Sequence, residues 1–281
     1  MNYFYVFIPL VFLFVSCKKW DKEEKIPSYI SVYQSTIHTD VATQGAASSN
    51  IADVWVNIDG NRQGTYEIPT TFPVLETGRH KVTLRAGIKV NGIAASRIIY
   101  PFFDMINIDT VLQEGKKLIL NPVYSYKSAT VFAWREDFQG NGFSLDRATE
   151  SDTLLYVISD STGNKYGKFS IDAIRQRFYY KSAEAYPLPK NGTAIFLEFD
   201  YRCNHPFTVG LLINKLQTSI NTPILIINPH PTTFNHIYVD LSYIVNSNLD
   251  AVDFNVIFQT VLQDGYTTGN AEIDNIKLIH F

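Results

Sequence analysis

"ADVWVNIDGNRQGTYEIPTTFPVLETGRHKVTLRAG" occupies residues 52–87. Val54, Val56 and Ile58 alternate with Trp55 and Asn57. A period of two places each set on one face of a strand. Asp59-Gly60 follows, and glycine accepts the positive φ of a two-residue hairpin turn. Tyr66 and Ile68 continue the return strand. Thr77-Gly78 then precedes a further alternating run, with Val82 and Leu84 on one face. Strand, tight turn, strand, turn and strand within one stretch predict an all-β chain.

The same pattern extends outward. "SRIIYPFF", "IDTVLQ" and "KLILNPVYSY" add three expected strands to a region spanning residues 27–127. "SYKSATV" (125–131) reads as a junction. A second region, residues 128–281, opens with "FAWREDFQGNGF" and closes with "AEIDNIKLIHF". Between them lie the strand-like runs "IFLEFDYRCNHPFTVGLLI", "FNHIYVDLSYIV" and "VDFNVIFQTVL". The expectation is two tandem β-sandwich domains.

Over residues 50–90, the hairpin, Pro-containing link, Gly turn and strand resemble the PEGA and carboxypeptidase-regulatory-like domains. That resemblance implies an Ig-like β-sandwich used as a spacer or binding module. The second region resembles jelly-roll domains of the galactose-binding-like and carbohydrate-binding-module type. The resemblance rests on the early Glu136-Asp137-Phe138, the central long strands, "HIYVDLS" and the terminal "IDNIKL". It implies that first and last strands lie side by side, with a structural calcium held by acidic residues there. Glu136, Asp137 and Asp274 would be its ligands. The competing reading is that Asp274-Asn275 makes a turn or caps a strand end.

Residues 3–15 carry no charge and are too few for a comfortable membrane span. Residues 1–16 therefore read as a signal peptide. Phe14-Val15-Ser16-Cys17 resembles the bacterial lipobox, which implies lipidation at Cys17. Several acyl chains hold a protein stably on a bilayer. Residues 17–26 then form a lipidated tether. Its acids Asp21, Glu23 and Glu24 resemble the surface-export signal of Bacteroidota lipoproteins. The expected location is the outer membrane, facing the periplasm or the cell surface.

The net charge of −3 gives no electrostatic case for a nucleic-acid partner. With Cys17 assigned to lipid, Cys203 is left alone, so an intrachain disulfide framework is excluded. Cys203 reads as a small buried strand residue. Asp59 and Asn61 hint at a calcium loop, but Gln63 and Thr70 stand at its fifth and twelfth positions, where a ligand and a bidentate glutamate belong. None of the six histidines forms a metal-binding pair. His230 and His236 flank "PHPTTFNH", which reads as a Pro-rich loop with incidental histidines. "GNGFSLD" puts Ser144 outside the frame of a nucleophile elbow.

Three features stay open. Glu198 and Asp200 in "LEFDY" share one strand face. They are either part of a solvated sheet or a pair of acids in a glycosidase-like groove. Tyr179 and Tyr180 are adjacent, so one of them faces solvent, where a ring would stack on a sugar. Asp109-Thr110-Val111, Asp152-Thr153-Leu154 and Asp160-Ser161-Thr162 resemble the O-glycosylation triplet of Bacteroidota exported proteins. No catalytic residue and no cofactor are expected. The reading is a membrane-anchored, non-catalytic binding or adhesion module, with a glycan or an envelope protein as partner. The alternatives are a structural part of an envelope assembly and a hydrolase of surface polymers.

Overall fold

A computed structural model of the chain describes residues 24–281. The signal peptide expected at residues 1–16, the lipidation site Cys17 and the tether through Glu23 lie outside the described residues. The regular structure is almost entirely strand. The first region contains β1 (Ser28–Val32), β2 (Thr36–His38), β3 (Asp53–Ile58), β4 (Asn61–Glu67) and β5 (Thr70–Val74). It continues with β6 (Gly78–Lys89), β7 (Arg97–Ile99), β8 (Ile106–Leu112), β9 (Lys117–Leu120) and β10 (Val123–Ser125). A one-turn helix α1 (Val41–Gln44) lies between β2 and β3.

The second region begins with β11 (Val131–Glu136), β12 (Leu145–Arg147), β13 (Leu155–Ser159), β14 (Lys165–Asp172), β15 (Arg177–Ser182) and β16 (Ile195–Cys203). It ends with β17 (Phe207–Asn214), β18 (Ser219–Ile227), β19 (His230–Asp240), α2 (Ser242–Ser247), β20 (Asp253–Val261) and β21 (Thr268–His280).

The quoted stretch folds as its alternation dictates. β3 pairs with β4 on one side and β6 on the other, and β8 also pairs with β6. The turn sits at Asp59-Gly60, with φ values of 48° and 83°. Val54, Val56, Ile58, Val82 and Leu84 pack inward against Ile30, Val32 and Phe72 of the three-stranded sheet β5-β1-β9. "SRIIYPFF" is a strand only over Arg97–Ile99. Tyr100, Phe102 and Phe103 leave the sheet and are buried elsewhere.

In the second region two antiparallel sheets face each other. One runs β13-β14-β21-β16-β19, with β11 also on β21, and the other runs β12-β15-β20-β17-β18. Their facing side chains include Phe169, Phe178, Leu197, Phe199, Val209, Leu211, Phe254, Val256 and Phe258. First and last strands lie side by side, with Val131 opposite His280. Asp274-Asn275 is neither a turn nor a strand end. It is a bulge inside β21, opposite Phe199, with Asn275 at φ 51°. A bulge adds one residue to one strand. It therefore keeps Ile273, Ile276 and Leu278 in the core while Asp274, Lys277 and Ile279 point outward. "PHPTTFNH" is likewise no loop, since His230–Asp240 is one continuous strand against β16.

β16 is buried on both faces. Ile195, Leu197 and Phe199 enter their own sandwich, while Phe196, Glu198 and Asp200 face the first region. There Tyr100, Phe102, Phe103, Tyr124 and Tyr126 meet Phe196, Tyr238 and Ile279 in a third core between the two sandwiches. Tyr100 packs edge-on against Phe196 and tilted against Tyr238, with centroids 5.5 and 4.7 Å apart. Such aromatic pairs contribute beyond the area they bury.

Candidate functional site

The outer face of the sheet β12-β15-β20-β17-β18 carries an open groove. It begins with the adjacent tyrosines of β15. Phe178 and Tyr180 point inward, and the ring of Phe178 stacks on Phe169 at 3.6 Å. The buried Tyr180 hydroxyl accepts a bond from the Leu155 N–H at 3.0 Å. Tyr179 consequently points outward.

In register with Tyr179 lie Gln259 on β20 and then Thr208 on β17. The next outward position of β17 is Gly210. A Cβ there would sit 2.3 Å from the Thr222 carbonyl oxygen. Only glycine lets β18 fold this closely over the sheet. That fold brings Asn221 across, where its Nδ2 donates to Gln259 Oε1 at 2.9 Å and to the Tyr179 hydroxyl at 3.3 Å. Glu150 and Arg177 stand at the rim of this groove of about 490 Å³. Past Thr208, Thr260 and Val261 it continues into a depression of about 410 Å³ bounded by Ile226, Gln263 and Asp264.

Burial first, then the charge of Glu150, raises the Tyr179 pKa, so the phenol stays protonated at neutral pH. His205 braces the far end from below. Its Nδ1 donates to the Pro206 carbonyl at 2.7 Å, and its Nε2 accepts from the Gln263 N–H at 3.2 Å. Burial depresses the His205 pKa, which favours this neutral form. The groove thus offers an aromatic face, two side-chain amides, hydroxyls and flanking apolar surface. That set suits polyhydroxylated rings, which present apolar faces and many hydrogen-bonding edges.

Glu198 and Asp200 lie elsewhere, and neither is on a solvated sheet or in an open cleft. They are sealed in the seam between the sandwiches. Glu198 is fully buried; Oε1 accepts from the Tyr100 hydroxyl and Oε2 from the Tyr126 hydroxyl at 2.6 Å. Lys277 is opposite Glu198 in register and is itself buried. Its Nζ donates to the Ala46 carbonyl at 2.7 Å and to the Tyr126 hydroxyl at 3.3 Å. Burial lowers the Lys277 pKa against the pull of Glu198 and Asp200.

Asp200 Oδ1 accepts from Ser48 Oγ at 2.6 Å and pairs with His236 Nδ1 at 2.7 Å, while Oδ2 accepts from Asn275 Nδ2 at 2.8 Å. Burial pushes Asp200 upward, but these bonds hold its pKa below the ordinary carboxylate value. His236 is therefore a partner in the seam rather than incidental.

Glu136, Asp137 and Asp274, the residues expected to hold calcium, each accept hydrogen bonds within the protein. Glu136 Oε1 accepts from the Phe138 N–H at 2.7 Å, and Oε2 accepts from the Ser144 N–H and hydroxyl, each at 2.6 Å. It closes the loop that follows β11. Asp274 Oδ2 accepts from Asn164 Nδ2 at 3.0 Å and Oδ1 from the Asn275 N–H at 2.8 Å. Asp137 Oδ1 caps the Gln139 N–H at 3.0 Å. Among the described residues no group of three His, Cys, Asp or Glu side chains is arranged to hold a metal ion. Cys203 is buried beside the Asn228 carbonyl. Of the three glycosylation triplets, the middle one is closed to modification, because Thr153 is buried and donates to the Ser170 carbonyl at 2.8 Å.

Sequence alternation placed one of Tyr179 and Tyr180 outward without saying which, and it missed Thr208, Asn221 and Gln259. Their only local signals are polar residues at outward positions of apolar strands and a glycine at 210.

No protein-family model and no curated protein matches the chain. Solved structures with similar folds include carbohydrate-binding modules. The CBM22-1 and GH10 modules of Clostridium thermocellum xylanase 10B match 53% of this chain at 12% identity and a TM-score of 0.40. That match spans only 28% of the xylanase chain. The CBM22-2 xylan-binding domain of Paenibacillus barcinonensis Xyn10C matches 52% of this chain and 98% of its own, at 11% identity and a TM-score of 0.39. The family 30 module of the C. thermocellum cellulase Cel9D-Cel44B matches 54% and 94%, at 15% identity and 0.35.

Proposed function

We propose that the chain is a non-catalytic glycan-binding protein whose binding surface is the Tyr179 groove. The observation that carries this reading is the cross-strand row of Tyr179, Gln259 and Thr208 with Asn221 folded over it. Tyr179 supplies the stacking face, and Asn221 and Gln259 exchange their mutual bond for bonds to sugar hydroxyls. The rival hydrolase reading loses its best candidate acids, because Glu198 and Asp200 are spent on holding the seam. The Ig-like first sandwich serves as a spacer, and the seam fixes its direction relative to the groove.

A glycan array with the chain lacking residues 1–23 should give binders. For those binders, Tyr179→Ala should weaken binding by about 1–3 kcal/mol, by analogy with aromatic rings that stack on nucleic-acid bases. Unchanged binding in this variant would remove the groove from the reading. Hydrolysis of any bound glycan would overturn its non-catalytic part.

Anchorage at Cys17 completes the proposal and is supported by the apolar run that ends at Val15-Ser16-Cys17. Cys17→Ser should abolish incorporation of labelled palmitate and leave an unprocessed precursor. Retained label would place the anchor elsewhere.

A further inference from the structure

The first sandwich carries a second unassigned surface, on the outer face of β4, β3 and β6. Asp53, Trp55 and Asn57 point outward there, since Val54, Val56 and Ile58 fill the core. Trp55 is half-buried, and Arg62 lies over its ring with the guanidinium 5.1 Å from the centroid. Arg85 is the direct cross-strand neighbour of Trp55 on β6. Its guanidinium is steered by Asn57, with Nη1 donating to Asn57 Oδ1 at 3.2 Å.

The acids of this face are already engaged elsewhere. Arg97 pairs with Asp53 and with Glu67, the latter at 3.2 Å, and Lys89 approaches Glu67 at 3.7 Å. Arg62 and Arg85 have no carboxylate partner among the described residues. Arg62 meets only Thr65 Oγ1 at 3.4 Å, and Arg85 otherwise reaches only the Met105 sulfur.

The ring is seated with care. Gly87 lies beside Asp53 on β6, and a Cβ there would fall 2.7 Å from Trp55 Nε1. Glycine is what allows the indole to lean over the sheet between the two arginines.

We propose that this row is a second binding site, and that it takes a carboxylate-bearing polysaccharide. Two oriented guanidiniums without counter-charges stand on either side of a seated tryptophan. The chain as a whole is acidic, so the surplus of positive charge is local. A guanidinium presents a planar fork that matches a carboxylate through two parallel bonds. β4 and β6 flank β3, with Arg62 opposite Asn57 and Arg85 opposite Trp55. Two strand spacings and a two-residue offset put the arginines roughly 12 Å apart at their backbones. A polymer with repeated carboxylates can engage both. An anionic bilayer would instead favour flexible lysines and projecting apolar tips, whereas both cations here are held arginines.

The test uses polygalacturonate as probe, in affinity electrophoresis and calorimetry at low ionic strength. The native chain should bind, and added salt should weaken the complex. Arg62→Ala with Arg85→Ala should weaken it about tenfold or more, a loss of about 1.4 kcal/mol or greater. Lysine at both positions should restore part of the loss. Gly87→Ala should also weaken it by displacing the ring, with thermal unfolding confirming that each variant is folded. Polygalacturonate binding that is lost in Tyr179→Ala but kept in the double alanine variant would place it in the groove and overturns the proposal. No polygalacturonate binding, or equal binding by the double alanine variant, overturns the proposal. Arginine-dependent binding to phosphatidylglycerol vesicles without polygalacturonate binding also overturns it.

Discussion

Glu198→Ala is expected to destabilise the chain by about 2–6 kcal/mol, since it leaves two buried hydroxyl donors without an acceptor and each such group costs about 1–3 kcal/mol. The Tyr100 and Tyr126 hydroxyls lose their acceptor at once, and the buried Lys277 ammonium loses a nearby negative charge. None can reach water, because Tyr100, Tyr126 and Lys277 are all buried. Glu198→Gln should cost less, since its amide oxygen still accepts one hydroxyl, but Lys277 loses a nearby negative charge. Urea unfolding followed by tryptophan fluorescence measures both. A loss below about 1 kcal/mol for Glu198→Ala would mean that water enters the seam. The seam would then hold the sandwiches by apolar packing alone.

Asp274 should make stability depend on pH around neutrality. Burial is the chief cause of its raised pKa, about 7 against an ordinary 3.8, and the charges of Asp200 and Asp137 add to it. Asp200 is its cross-strand neighbour. The folded chain therefore holds a proton between about pH 4 and 7 that the unfolded chain releases. Stability should be greatest below pH 4 from this group and should fall as pH rises through 7. A shift of about three units corresponds to roughly 4 kcal/mol at most. Asp274→Asn removes the titration and keeps an acceptor for the Asn275 N–H. It should match the native chain near pH 4 and exceed its stability at pH 8. A native-like pH profile in Asp274→Asn would assign the dependence to another group.

The seam network and the groove differ in how far the sequence foretold them. The shared face of Glu198 and Asp200 followed from their spacing alone. The medium covering that face did not, because Tyr100 and Tyr126 arrive from some 70 to 100 residues away. A solvated sheet and a sealed seam give the same local pattern of alternate acids. His236 was misjudged for the same reason. Its histidine-proline-rich surroundings suggested a loop, but pairing with β16 draws the segment into a strand. Asp274-Asn275 looked like the end of a strand. Pairing on both sides of β21 holds it within the ladder as a bulge.

The sequence by itself determined the all-β class, the hairpin at Asp59-Gly60 and the outward direction of one tyrosine of the 179–180 pair. Those are consequences of period and φ preference, which act over a few neighbouring residues. The tertiary structure alone decided that Asn221, Gln259 and Thr208 join Tyr179, that Arg62 and Arg85 flank Trp55, and that Glu198 is buried. Each of these depends on strand order, and the first two also on a close approach permitted by Gly210 or Gly87. Strand order is set by the packing of whole faces, and no local window of residues contains that information.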